Sequence, residues 1–247
     1  MSKNDRETGL EVRWQAVRER VDAACRAAGR EPAEVEILPV SKTFPVELIR
    51  EAVALGLHRF GENKVQEIKT KYEPLADCAI EWIMIGHLQT NKAKEVARFA
   101  SEVQSLDRLE LAEALHKRLQ IEGRTLDVLV QIKTSTEETK YGLPADELPE
   151  FLEVLRGFDT LRARGLMTLA VNSDDETEVR ACFRLLRELR DQSLASGHDI
   201  PRLSMGMSGD FALAIAEGAT EVRIGTAIFG ARAYPDSYNW PEASRPT

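Results

Sequence analysis

Two groups of residues in this chain have types and spacing that suit chemistry. The first is Lys42, which follows the apolar run 37–41. At the end of a buried strand, partial desolvation and nearby cations lower an amine's pKa, and the neutral amine can attack an aldehyde. On its own a lysine is more often a solvated surface charge, so its neighbours must decide. The second group lies far along the chain. Gly206, Ser208 and Gly209 come just before the segment 210–217, and Gly225 and Thr226 come just before a short segment near Ala227. Glycines let a backbone approach an anion closely, and the N–H groups of a helix start bind phosphate with help from the helix dipole. Each loop alone also suits ordinary turn chemistry; the pair together reads as a phosphate cradle.

The elements that must bring these groups together are an alternation of short apolar runs and amphipathic segments. The apolar runs fall at 37–41, 58–61, 80–85, 103–106, 126–132, 161–167, 203–205 and 222–224. Helical periodicity begins near Val46, Val65, Asn91, Leu109, Ala145, Glu176 and Asp210, with a last short helix near Ala227. An additional helix precedes them over 11–28, with Gly29 as its stop. Parallel strands buried on both faces read as continuous apolar runs and need helical crossovers. Eight strand–helix units in 247 residues predict one (β/α)₈ barrel of the TIM type, which needs roughly 250 residues. No Gly-x-Gly-x-x-Gly follows the first strand, which argues against a dinucleotide-binding sheet. Pro39 is awkward inside the first strand, because it removes a ladder hydrogen bond. A bulge, or a strand beginning at Val40, would accommodate it. The organisation expected is one domain over 1–247, with the barrel at about 36–230 and a short tail.

Barrel enzymes carry their chemistry at the carboxyl ends of the strands, and the loops after strands seven and eight recurrently hold phosphate. Lys42, Glu62, Asn63, the Gly86-His87-Leu88-Gln89 turn and both glycine loops all fall at that end. A nucleophilic lysine facing a phosphate cradle suits a phosphorylated aldehyde. By this argument pyridoxal phosphate and a sugar phosphate fit equally well.

Composition removes other classes. The net charge of −8 disfavours non-specific binding to nucleic acid or anionic lipid. Cys25, Cys78 and Cys182 are odd in number and far apart, so no disulfide framework or metal-ligand spacing arises, and the four histidines are equally scattered. No apolar run approaches the roughly 20 residues that span a bilayer, and the first ten residues lack the apolar core of a secretory signal. A cytoplasmic protein without metal is expected.

Six stretches in order carry a resemblance. They are Val40-Ser41-Lys42-Thr43, Phe60-Gly61-Glu62-Asn63 with Gln66-Glu67, the turn from Ile85 to Lys92, Gly165-Leu166-Met167-Thr168, Leu203 to Ser208 with Asp210, and Val222 to Gly230. Together they closely resemble the pyridoxal phosphate homeostasis protein family, whose barrel is akin to the N-terminal domain of alanine racemase. The resemblance implies that pyridoxal 5′-phosphate is held on Lys42 as a Schiff base. It further implies that Ser208, Gly225 and Thr226 hold the phosphate, that Arg223 faces the pyridine nitrogen, and that Asn63 contacts the cofactor on the ring side. Met205 suits a place beneath the ring or in the core equally; His87 takes no role. Lys133 stands where the family often has asparagine, which puts the role of the following loop in doubt. Glu137 and Lys140 in that loop suit a plain surface ion pair.

Three functions fit to different degrees. The first is a carrier that buffers or delivers the cofactor to pyridoxal phosphate-dependent apoenzymes and has no catalytic residues. The second is an amino-acid racemase. The third is a cofactor-free lysine aldolase, which the six motifs do not resemble. Alanine racemase completes its site with a further C-terminal domain, and the length leads us to expect none here. Tyr234 and Tyr238 in the tail are expected to pack or face solvent. Arg223 stays protonated and can only donate, which leaves the ring nitrogen unprotonated and weakens it as an electron sink. Alanine racemase uses a similar arginine, so racemisation remains compatible. Monomer and dimer are equally compatible with the sequence.

Overall fold

The computed structural model describes residues 9–231 apart from 136, 138 and 139; Tyr234 and Tyr238 lie outside them. Eight strands run parallel: β1 Glu36–Pro39, β2 Arg59–Glu62, β3 Glu81–Met84, β4 Glu102–Leu106, β5 Leu126–Gln131, β6 Leu161–Met167, β7 Arg202–Ser204 and β8 Glu221–Ile224. Each pairs with its neighbour in sequence from β2 to β8, and β8 pairs with β1. The seam between β1 and β2 is joined past the strand ends by a Val40–Gly61 bridge, with Ser41 N–H donating to Gly61 O at 3.0 Å. The result is the barrel expected, with every strand within two residues of its predicted limits.

Pro39 needs neither a bulge nor a later strand start, because it is the last residue of β1, in register with Ile224. The N–H groups of Glu36 and Val40 donate to Thr220 and Ile224 on the β8 side, whereas that of Ser41 turns to Gly61 on β2. By this alternation the N–H that Pro39 lacks would face the seam, where β1 and β2 join only from Val40 onward.

Helices cover the wall. The N-terminal helix α1, Leu10–Ala27, is followed by α2 Val46–Ala54, α3 Val65–Tyr72, α4 Ala93–Phe99, α5 Leu109–Glu122, α6 Leu148–Leu155, α7 Glu176–Ala195, α8 Phe211–Ala216 and α9 Thr226–Phe229. Gly29 has φ +70°, so α1 stops where a residue without Cβ permits a left-handed turn. Three arginines of the N-terminal segment reach the last two helices. Arg13 Nε donates to Ile228 O at 2.8 Å, Arg30 donates to Ile215 O and Ala219 O at 3.0 and 2.7 Å, and Arg20 lies 5.2 Å from the Phe211 ring centre. The carbonyls at the ends of α8 and α9 thus gain charged donors.

The barrel interior is apolar around Gly61, where Leu38, Val40 and Ile85 converge. Toward the amino ends of the strands it is ionic. Arg202 spans the buried carboxylates of Glu102 and Glu221 at 2.6 and 3.0 Å, and Arg59 reaches both from the side. Gln104 donates to Glu102 and Glu221 and accepts from Ser204, so every buried charge here has a partner. Cys25, Cys78 and Cys182 are all buried free thiols. Among the described residues no helix is long and apolar enough to cross a membrane.

Candidate cofactor site

Register sets the neighbours of Lys42. Val40 N–H donates to Ile224 O on β8, and Val40 also bridges Gly61 on β2. Val40 thus sits between Gly61 and Ile224, and Lys42 follows it two residues later in the turn after β1, at the same end of the barrel as Asn63 after β2 and Thr226 after β8. Strand alternation puts Leu38 and Val40 on the inner face, and Lys42 follows in the turn after β1. Lys42, Asn63 and Ser208 are half-buried, Gly225 is buried and Thr226 is exposed, so the site opens at the barrel mouth.

Asn63 is fixed by its neighbour strand. Ile85 N–H donates to Glu62 O at 3.0 Å, and a Cβ on Gly86 would lie 2.2 Å from Asn63 O. Only glycine lets the β3 loop lie against the Asn63 backbone this closely.

The loop after β7 is built the same way. Gly206 has φ +95°, and a Cβ there would meet Ala214 Cβ at 2.6 Å and Phe211 Cα at 3.0 Å. Its carbonyl accepts from Arg223 N–H at 2.9 Å, tying this loop to β8. Asp210 Oδ1 accepts from Met207 N–H at 2.5 Å and closes the turn. Burial raises the Asp210 pKa, while that hydrogen bond and Arg223 oppose the rise. Ser208 N–H and Gly209 N–H have no acceptor among the described residues, and a Cβ on Gly209 would project into open space.

Arg223 lies inside the barrel, 4% exposed. It donates to Ser204 O and Ser204 Oγ at 2.7 Å each, and to Thr168 O at 2.7 Å. These bonds use its two terminal nitrogens and leave the Nε hydrogen uncommitted among the described residues. Burial draws its pKa below the usual arginine value, against Glu221 and Asp210; the group remains a cation and a donor.

The rest of the mouth is closed by the loops after β3 and β5. The His87 ring stacks on Tyr141 with centres 3.7 Å apart, and His87 Nδ1 lies 3.5 Å from Asp107 Oδ2. Burial lowers the His87 pKa, with Asp107 opposing. Glu137 and Lys140 pair at 2.6 Å, but not as a plain surface pair: both are half-buried, Lys140 also donates to Ala170 O, and Glu137 accepts from Asn172 N–H. The pair joins the β5 loop to the β6 loop. Lys133 is half-buried and its N–H is taken by Leu143 O.

Residues 12–233 match the family described as alanine racemase, N-terminal domain. The pyridoxal phosphate homeostasis protein of Aquifex aeolicus is 44% identical over 224 residues, spanning 90% of this chain and 98% of the relative. The chain belongs to the pyridoxal phosphate homeostasis protein family. Two solved structures agree with that membership. An unknown protein from Bifidobacterium adolescentis is 35% identical with TM-score 0.86, covering 92% of this chain and 97% of its own. PipY of Synechococcus elongatus, solved with PLP bound, is 34% identical with TM-score 0.76, covering 85% of this chain and 99% of its own.

The residues at the mouth fit the group that the family name implies. Dianionic phosphate needs several donors at one edge, which the Ser208 and Gly209 N–H groups and the Ser208 and Thr226 hydroxyls offer. A pyridine nitrogen is an acceptor, and Arg223 has an N–H to spare. An aldehyde needs an amine, and Lys42 lies at the same end of the barrel. Met205 is fully buried in the apolar core and is filler at that position.

Sequence reasoning missed Lys71. It sits behind Lys42, on α3, 7% exposed at its side chain and hydrogen-bonded to the main chain of Ser41. The signal was present: Lys71 follows Ile68 by three residues and so shares its buried face, and Glu67 precedes it by four.

Proposed function

We propose that this protein holds pyridoxal 5′-phosphate covalently through Lys42 and buffers or delivers it to apoenzymes in the cytoplasm, without turning over amino acids itself. The observation that carries the reading is that Lys42, Asn63 and Gly225-Thr226 follow β1, β2 and β8, three neighbouring strands, at one end of the barrel. The relatives' shared name and the PLP held by PipY support it.

When bound, pyridoxal 5′-phosphate supplies an aldehyde that condenses with a primary amine, forming a carbon–nitrogen bond and releasing water. Lys42 provides that amine. Ser208, Gly225 and Thr226 receive the phosphate, through hydroxyls and main-chain N–H groups. Arg223 donates toward the ring nitrogen and, unable to accept, keeps a proton off it. Asn63 bounds the ring side, held there by the close approach of Gly86.

Delivery and catalysis separate in one experiment. Cofactor-loaded protein is mixed with a pyridoxal phosphate-dependent apoenzyme, and separately with L-alanine in D₂O. The reading expects the apoenzyme to regain activity and alanine to keep its configuration. Inversion at an enzymatic rate of roughly 1–10³ s⁻¹, lost in Lys42→Ala, would replace the carrier by a racemase. Deuterium entry without inversion marks a single base and leaves the carrier reading standing.

A further inference from the structure

The residues on either side of Lys42 are both held by one buried ionic cluster outside the barrel wall. Lys71 Nζ donates to Ser41 O at 2.9 Å, to Glu62 Oε1 at 2.8 Å and to Glu67 Oε2 at 3.0 Å, which uses all three of its protons. Ser41 Oγ donates to the same Glu62 oxygen at 2.6 Å. On the far side of Lys42, Thr43 N–H donates to Glu67 Oε2 at 2.5 Å. Thr43 has φ +66°, a left-handed conformation that a β-branched residue rarely adopts. Strain of this kind persists only where the surroundings over-determine it.

Stability does not explain the cluster. Glu62 is 0% and Lys71 6% exposed, and Glu62 Oε2 is buried with no partner. A buried ion pair contributes little net stability compared with apolar residues of the same volume. What the arrangement does is fix a backbone. It ties the main-chain oxygen before Lys42 and the main-chain N–H after it to α3, so the lysine projects from an anchored peptide.

We propose that Glu62, Lys71 and Glu67 form a positioning device for Lys42, clamping the chain on both sides of it so that its amine is presented at the barrel mouth. The inference rests on the reading of Lys42 as the cofactor-bearing amine, and its test keeps the two apart. Lys71→Met removes the ammonium, and Glu62 can then take a proton in place of its lost partner. Glu67→Gln keeps the shape and removes one charge, as a second variant should the first not fold; circular dichroism and a thermal melt report folding for both.

The first measurement compares pyridoxal 5′-phosphate with pyridoxine 5′-phosphate, which carries an alcohol instead of the aldehyde and cannot bond to an amine. In each folded variant the affinity for the aldehyde should fall about tenfold or more, and that for the alcohol should stay within about twofold. Equal losses for both ligands, or none for either, would overturn the positioning role. The second measurement needs no cofactor: acetic anhydride labels amines, and mass spectrometry reads the rate at Lys42 against Lys133. Loosening the clamp exposes Lys42, so its rate should rise severalfold while that at Lys133 holds. An unchanged rate at Lys42 would overturn the inference even if neither phosphate ester binds the parent, an outcome that would separately defeat the proposed function.

Discussion

Arg13 on the first helix donates through Nε to Ile228 O, 2.8 Å away in the last helix of the barrel, 215 residues later. Its NH2 group also reaches Phe229 O at 3.4 Å. The N-terminal helix therefore holds the far end of α9, whose first residue is Thr226. Arg13→Met should leave carbonyls at that end without their charged donor. A hydrogen bond to a charged group is worth about 1.5–3 kcal/mol, and a loss of that order is expected in the denaturant midpoint, accompanied by weaker cofactor binding. A variant as stable as the parent would show that α9 holds its place without the Arg13 bonds.

The loops after β7 and β8, proposed to hold the phosphate, make a separable prediction. Thr226→Val and Ser208→Ala each delete a hydroxyl donor, and affinity for pyridoxal 5′-phosphate should fall about ten- to a hundredfold. Pyridoxal without its phosphate should bind weakly to the parent and respond little to either change. Titrations showing equal losses for both ligands would assign the hydroxyls to the fold.

Gly206→Ala should be more damaging than either. The new methyl must accept φ +95° and a contact of 2.6 Å with Ala214 Cβ. The left-handed conformation alone costs about 1–2 kcal/mol, and the contact forces the loop off α8. Loss of stability beyond that figure, with phosphate affinity lost as well, is the expected result of a melt and a titration. Gly209→Ala, whose methyl would enter open space, should be far milder.

Glu62 gives the protein a pH signature. Burial pushes its carboxyl pKa up to about 7, although Lys71 pulls it down; Glu67 adds to the rise and Ser41 Oγ opposes it. Between the ordinary carboxylate value and about 7, the folded state binds a proton that the unfolded state has released. Stability contributed by Glu62 is therefore present at low pH and falls as pH rises through that window, by up to about 1.4 kcal/mol per pH unit. Denaturation of the parent and Glu62→Gln across pH 5 to 8 should show this slope in the parent alone. Parallel curves would mean Glu62 is ionised throughout.

Much of this molecule was legible in the chain. The eight apolar runs became eight strands because parallel strands buried on both faces need no alternation to identify them. Gly206 marked a tight loop after β7 because its φ of +95° and its contact with Ala214 demand glycine. Three things were not legible. The seam that tolerates Pro39 depends on which neighbour each N–H faces, a property of barrel closure and not of local sequence. Glu62 read as a residue at the mouth and Glu67 as part of a matching stretch, and Lys71 went unremarked, until the fold brought the three together beside Ser41 and Thr43. Glu137 and Lys140 likewise read as a surface pair, because Ala170 and Asn172 meet them only through the fold.

The most direct test of the account is where the cofactor is attached. The protein is incubated with pyridoxal 5′-phosphate, reduced with borohydride, digested and analysed by mass spectrometry. The account predicts a visible absorbance band before reduction and a single major adduct on the peptide that carries Lys42, absent in Lys42→Ala. An adduct mainly on Lys133 or Lys140, or a protein that takes up no cofactor at all, would contradict it.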